Sequence, residues 1–292
     1  MKSDLKHFYN IVPLKKQLFS YLKHFYSPSE SVYKHLHFKG DFDVLIDEEH
    51  SFKLRHYGFQ IENEIFWGGL KESHEKISTN LWINLSRQAE TVFDIGANTG
   101  VYSLITKCLN PKAKVYAFEP VKRVYEKLCE NNVLNEYDVV CLEKAASNKT
   151  GTAVIYDTPT EHVYSVTVGK NLNDTNVEVI PTTIETVRLD DFVESENIEK
   201  IDLMKIDVET HEAEVLEGLG KYLELFKPTL LIEILNDEVG KNVEDLVARN
   251  GYLYFNIDDK NGSLKQTNQI TKSDFYNYLL CNEKTAKELN LV

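Results

Sequence analysis

From residue 91 onward, short apolar runs alternate with stretches whose apolar residues recur at helical spacing. Residues 91–95 (Thr-Val-Phe-Asp-Ile) predict a strand, and 98–109 a helix that must stop before Pro111. Residues 114–118, 121–131 and 138–142 repeat the sequence strand, helix, strand. Residues 201–206 and 229–234 add two more apolar strands, each followed by a helix. Such alternation predicts a doubly wound α/β fold, a parallel sheet covered on both faces. Residues 151–188 break the rhythm. The β-branched segments 153–156, 164–168 and 177–180 alternate with polar connectors and predict an antiparallel β insertion. Residues 252–256 and 278–281 predict a closing strand pair, with Asn261-Gly262 between them as a tight turn.

Before residue 89 the pattern differs. Pro13 can open a helix in which Leu14, Leu18, Leu22 and Phe25 share one face, closed by Ser27-Pro28. Residues 43–46 and 52–54 predict short strands joined by an Asp-Glu-Glu turn, and 71–88 a helix. This divides the chain into a mainly helical N-terminal extension (1–88) and an α/β domain (89–292). Charge sharpens the division. The first 40 residues hold seven Lys and two acids, a net of +5, while the rest carries −18. Two readings of the basic helix stand side by side. It lies on an anionic membrane surface as a peripheral contact, or it docks on the domain while its Lys stems cover apolar neighbours.

Composition is that of a globular protein, with 42% apolar and 27% charged residues. The net charge of −13 argues against a general nucleic-acid binder. No stretch approaches the roughly 18 apolar residues of a transmembrane span, and the start lacks the apolar core of a secretory signal. Cys108, Cys129, Cys141 and Cys281 show neither C-x-x-C nor zinc-finger spacing. They are expected to be small buried hydrophobes of a reducing compartment, which makes the expected localisation cytoplasmic. No metal is expected. The oligomeric state is not encoded in any recognisable pattern.

The informative chemistry lies at Phe93-Asp94-Ile95-Gly96-Ala97-Asn98-Thr99-Gly100. Gly96 allows a sharp turn from strand to helix and close approach of a ligand to the backbone, at the strand end where doubly wound folds bind ligands. Neither the dinucleotide fingerprint nor the phosphate-binding loop is present. Asp94, just before the turn, would repel a pyrophosphate and favour a cationic group such as an amine or a sulfonium. The next strand ends in Phe118-Glu119-Pro120, which places a carboxylate at the neighbouring strand tip to accept both ribose hydroxyls. S-adenosylmethionine carries the sulfonium, the amine and the ribose. The plainer alternative makes Asp94 a helix cap and Glu119 a solvated strand end.

Here the chain resembles the FkbM family of S-adenosylmethionine-dependent methyltransferases. The resemblance rests on Val92 through Tyr102, on Val115-Tyr116-Ala117-Phe118-Glu119-Pro120, and on Ala145-Ala146-Ser147-Asn148 with Gly151. It rests further on Leu189-Asp190-Asp191-Phe192, Lys205-Ile206-Asp207-Val208-Glu209-Thr210-His211-Glu212 and Val215-Leu216-Glu217-Gly218. These motifs lie within residues 90–256, and the last group makes the resemblance specific. It implies a class I methyltransferase, Rossmann-like sheet with seven strands, mostly parallel, the last antiparallel. It also implies that Asp94, Gly96, Asn98 and Gly100 line the methionine part of the cofactor, that Glu119 takes the ribose, and that Ser147 lies near the adenine. The family usually has Gly where this chain has Thr210. If that Gly serves a special backbone angle, Thr210 reshapes the loop.

Asp207, Glu209, His211 and Glu212 follow an apolar strand and would share the rim where the methyl group is presented. Transfer to a hydroxyl needs in-line positioning and a base. His211, neutral at pH 7 at its ordinary pKa of about 6.5, is the expected base, with Asp207 or Glu209 orienting it or the acceptor. Thr210 and His211 also suit a plain helix start. Asp207 and Glu209 with Asp190 or Asp191 would make an oxygen-ligand cation site, but the latter two serve equally as a helix cap. Glu233 faces the same rim. The expected activity is methylation of a hydroxyl on a sugar, glycan or small metabolite. N-methylation of an amine or peptide and a non-catalytic scaffold are the alternatives. The insertion, with His162, Tyr164 and Lys170, and the basic N-terminal segment are the expected determinants of acceptor choice.

Overall fold

The structure is a computed structural model that describes residues 14–58, 60–70, 75–157, 167–168 and 180–292. His162, Tyr164, Lys170, the basic residues before Leu14 and most of the 164–180 strand pair lie outside the described residues. An antiparallel hairpin of β1 (Gly40–Leu45) and β2 (Ser51–His56) comes first. Its turn is closed by the Asp47 carboxylate, which accepts from the N–H groups of Glu49 and His50. The parallel core follows with β3 (Thr91–Ile95), β4 (Lys114–Phe118) and β5 (Val140–Leu142). A four-stranded sheet holds β6 (Ala145–Ser147), β7 (Gly151–Asp157), β8 (Thr167–Val168) and β9 (Ile180–Arg188) in the order β6-β9-β7-β8. The chain then returns with β10 (Leu203–Ile206), β11 (Thr229–Glu233), β12 (Leu253–Asp258), β13 (Ser263–Thr267) and β14 (Asn277–Cys281). The central order is β13-β12-β14-β11-β10-β3-β4-β5.

β3, β4, β5, β10 and β11 run parallel, and β14 enters antiparallel between β11 and β12. This is the class I methyltransferase arrangement with one strand more than the resemblance implies. Asn261 and Gly262 do not join β12 to β14. They turn β12 into the extra edge strand β13, which pairs antiparallel with β12. A second difference concerns Ala145-Ala146-Ser147. The motif Ala145-Ala146-Ser147-Asn148 with Gly151 resembles the family's short post-strand turn, but its first three residues form β6, parallel to β9.

Alternation along the strands sorts the core into two layers. Val92, Leu203 and Leu231 point to one face and pack with Leu104, Ile105 and Trp82. Phe93, Ile95, Met204 and Ile206 point to the other and pack with Val193, Val215, Leu216 and Val243. The N-terminal region is not a separate core. Phe19, Phe42, Leu54, Phe66 and Trp82 belong to the first layer. The hairpin, expected over 43–46 and 52–54, sits among the helices Lys15–Leu22, Glu30–Tyr33, Gln60–Gly68 and Lys76–Ser86.

The contact face of the first helix differs from the expected stripe. Phe19 is buried against Trp67, with ring centres 5.6 Å apart, whereas Leu14, Leu18 and Phe25 face outward. Among the cysteines only Cys281 is buried; Cys108, Cys129 and Cys141 are half-buried, and all four are free thiols. No helix among the described residues is long and apolar enough to cross a membrane.

Candidate active site

Gly96 turns the chain out of β3 with φ 78°, and its N–H donates to the Phe118 carbonyl at 3.0 Å. A Cβ at this position would stand 1.9 Å from the Asp207 carbonyl oxygen at the tip of β10. The turn therefore threads between the ends of two neighbouring strands, which only glycine permits. Asn98 follows at φ 53°, and Gly100 at φ 92° opens the helix Val101–Leu109. The Asn98 N–H donates to Glu119 Oε2 at 3.1 Å, and the Val121 N–H donates to Oε1 at 2.9 Å. Each Glu119 oxygen keeps a lone pair beyond its backbone donor. Burial pushes this carboxyl up to about 7, against the pull of those two N–H groups and Arg123.

Asp94 and Glu119 thus stand at the same ends of adjacent strands, but Asp94 does not face the turn as expected. Alternation places it on the layer of the helix Val101–Leu109, where one oxygen accepts from the Ser103 hydroxyl at 2.7 Å and its N–H at 3.1 Å. Asp94 is fully buried, and its Oδ1 has no hydrogen-bond partner among the described residues. Burial raises its pKa, while Lys205 and Ser103 oppose the shift.

A cleft opens beside the glycine turn. Gly96, Ala97, Asn98 and Thr99 form one wall, Asp207 and Lys205 the floor, and Ile61, Glu64, Ile65 and Leu70 the roof. Lys205 is the residue that pattern reading missed, although its signal was a lone Lys inside an apolar strand. Its ammonium lies 2.6 Å from Asp207 Oδ2 and 4.7 Å from the centre of the Tyr102 ring. Despite burial, Asp207, Glu75 and Asp94 hold its pKa above the ordinary lysine value. Tyr102 donates to Glu75 at 3.0 Å, which ties the N-terminal region to the same cluster. Asn131 adds a second tie: it donates to the Thr99 carbonyl and accepts from the Arg55 N–H of β2. The roof helix Gln60–Gly68 was not predicted, because its crowded apolar residues show no clean one-sided stripe.

The structure divides the residues expected at the fourth-strand rim. Asp207 faces the cleft. His211 turns to the opposite layer, where its Nε2 is 3.0 Å from Ser147 Oγ and its Nδ1 3.6 Å from Glu214. Burial lowers the His211 pKa, with Glu214 and Glu217 opposing, so the ring is neutral at pH 7. Glu209 and Thr210 form the bend between these groups, at φ 54° and 83°. Buried Glu212 clamps the bend by accepting from the N–H groups of Val208 and Thr210. Burial raises the Glu212 carboxyl to about 8, and burial together with Asp207 and Glu209 raises Glu233 to about 10. Asp190 lies elsewhere, held by Arg188 through two hydrogen bonds. Among the described residues no three His, Cys, Asp or Glu side chains group as metal ligands.

Thr210 occupies a backbone conformation that suits glycine, and a β-branched residue there stores about 1–3 kcal/mol of strain. Thr210→Gly is therefore expected to raise stability by about 1 kcal/mol, once the entropy of a freer unfolded chain is subtracted. Denaturant unfolding checks this, and a lower midpoint for the variant counts against stored strain.

The family model of the FkbM methyltransferase domain matches residues 94–254, more than half of the chain. The chain belongs to the FkbM methyltransferase family. The match begins at Asp94 and includes the glycine turn, Glu119 and the Asp207–Glu212 bend. Among curated relatives, a hexuronic acid methyltransferase of Haloferax volcanii is 29% identical over 146 residues, covering 49% of this chain and 56% of that protein. A 31-O-demethyl-FK506 methyltransferase of Streptomyces tacrolimicus is 31% identical over 157 residues, covering 46% and 60%. The chain thus spans little more than half the length of these relatives. Among solved structures, an FkbM methyltransferase of Methylobacillus flagellatus aligns at 15% identity with a TM-score of 0.39, over 66% of this chain and 43% of that one. A fibrillarin of Aeropyrum pernix, solved with bound S-adenosylmethionine, aligns at 12% with a TM-score of 0.38, over 67% of each chain.

Proposed function

We propose that the chain is an S-adenosylmethionine-dependent O-methyltransferase whose acceptor is a hydroxyl of a sugar, glycan or small metabolite. The observation that carries this reading is the Glu119 carboxylate held against the Asn98 N–H, which joins the second strand tip to the glycine turn. Two acceptor lone pairs there suit the two ribose hydroxyls. Among the described residues, Thr99 on the cleft wall keeps its Oγ1 without a hydrogen-bond partner. Gly96 leaves the backbone open to close approach. The cofactor, when bound, supplies a methyl group already activated on a sulfonium. Asp207, on the cleft floor, is the group placed to accept the acceptor's hydroxyl proton as the methyl moves. His211 belongs instead with Ser147 at the adenine end. The names of the two curated relatives, one for a hexuronic acid and one for an O-demethyl compound, support oxygen as the methylated atom.

Titration calorimetry with S-adenosylmethionine and with its demethylated product tests cofactor use, and a scaffold would bind neither. Glu119→Ala should weaken binding by about 1.5–3 kcal/mol, the size of a lost charge-assisted hydrogen-bond pair. The pH dependence has a definite sign. The ribose hydroxyls need an ionised carboxylate, and Glu119 in the free protein holds its proton up to about 7. Affinity should therefore rise between pH 6 and 8 with release of a proton, and Glu119→Gln should flatten the rise. For the stability of the free protein the same raised pKa acts in the other direction. The contribution of protonated Glu119 is complete below its unfolded value near 4.5 and is lost as pH climbs through about 7. Transfer of labelled methyl to glycan and metabolite fractions, with mass location of the product methyl, identifies the acceptor atom.

A further inference from the structure

Exposed large apolar side chains are concentrated at one place. Of fourteen among the described residues, five lie between residues 14 and 26: Leu14, Leu18, Tyr21, Phe25 and Tyr26. Their exposures run from 50% to 76%. Tyr21 and Phe25 lie against each other, with ring centres 5.2 Å apart and ring planes tilted by 56°. Scattered exposed apolar residues are ordinary, but a cluster marks a contact surface. Its charge identifies the partner. Lys15, Lys16 and Lys23 lie in the same window, Lys34 and Lys39 follow, and no acid occurs from residue 14 to 29. The chain as a whole carries −13, so this segment is of opposite sign to the rest of the sequence.

We propose that the outward face of the helix Lys15–Leu22, continued through Phe25 and Tyr26, docks on an anionic lipid bilayer. The aromatic and leucine side chains enter the headgroup boundary, and the net positive charge of the segment draws it to the anionic headgroups. The acidic remainder is repelled by the same surface, which fixes the orientation of the bound protein. The docking helix is also close to the cleft. Phe19 packs from its inner side on Trp67, and Lys23 lies 5.3 Å above the Phe66 ring. Both rings belong to the helix Gln60–Gly68, whose Ile61, Glu64 and Ile65 roof the cleft. Docking therefore brings the roof of the cleft to the membrane, where a lipid-linked acceptor would be met.

The test uses the full chain and vesicles of phosphatidylcholine, alone or with about 30% phosphatidylglycerol, in a co-sedimentation assay. The protein should pellet with the anionic vesicles only, and raising salt from about 0.1 to 0.5 M should release it. Leu18→Ser/Phe25→Ser should lower the partition about ten-fold or more with an unchanged melting temperature, because both side chains are exposed. Equal pelleting with neutral vesicles, no binding at all, or binding that survives the double substitution would overturn the proposal. So would a concentration-dependent dimer in sedimentation velocity that the double substitution abolishes, since the face would then join two copies of the chain. None of these measurements depends on methyl transfer, so failure here and failure of the enzymatic reading remain distinct.

Discussion

Asp207→Asn lowers turnover by about 10²–10⁴-fold and leaves cofactor affinity within about threefold. The expectation follows from where the two candidate bases sit. Asp207 lines the cleft together with the Gly96–Thr99 turn, and only one of its oxygens is taken by Lys205. The amide keeps the shape but cannot accept the hydroxyl proton. The fold should tolerate the change, because Lys205 keeps Asp94 and Glu75 as neighbouring acids. His211→Asn is the matched comparison. It breaks the bond to Ser147, which the proposed reading puts near the adenine, so its effect should fall on cofactor affinity, with turnover at saturation changed less than about ten-fold. Measuring kcat and the cofactor dissociation constant for both variants settles the assignment. A large kcat loss in His211→Asn beside an active Asp207→Asn would return the proton to the histidine.

Gly96→Ala should weaken cofactor binding by about 100-fold or more and cost about 2–5 kcal/mol of stability. Two penalties combine. The residue sits at φ 78°, and the new Cβ meets the Asp207 carbonyl oxygen at 1.9 Å. A backbone oxygen at a strand tip cannot rotate away as a side chain does. The turn or the β10 tip must move, and both are walls of the cleft. Gly251→Ala separates the two penalties, since it shares the positive φ, 75°, with no atom within 4 Å of the added carbon. That variant should lose about 1–2 kcal/mol and bind cofactor normally. Calorimetric titration and thermal unfolding of both proteins make the comparison. Wild-type affinity in Gly96→Ala would mean that the turn is no part of the binding site.

Much of this arrangement is set by local sequence. The bounds of β3 and β4 follow from their apolar runs, because a strand buried on both faces must be apolar along its length. Gly96 and the Glu119 that closes β4 are legible for a similar reason: backbone conformation and strand-end position are local properties. Thr210 also illustrates the division. The family resemblance marks the place where glycine is expected, but only the fold reveals that the bend keeps its left-handed form, clamped by Glu212.

The remainder depends on contacts distant in sequence. The direction of the Asp94 carboxylate follows from which layer covers that side of β3, and the separation of Asp207 from His211 follows from the bend between them. The pairing of His211 with Ser147 spans 64 positions. The edge strand β13 is mostly exposed and polar, so no apolar run announced it. The roof of the cleft comes from residues 61–70, in a region the motifs do not reach. Apolar rhythm and glycine placement determine the strands, the turn and the acid at the neighbouring strand tip, since each is a short-range preference of the chain. Which side chains meet in the cleft is decided by packing two layers on the sheet, because a side chain's partners depend on the element that covers it.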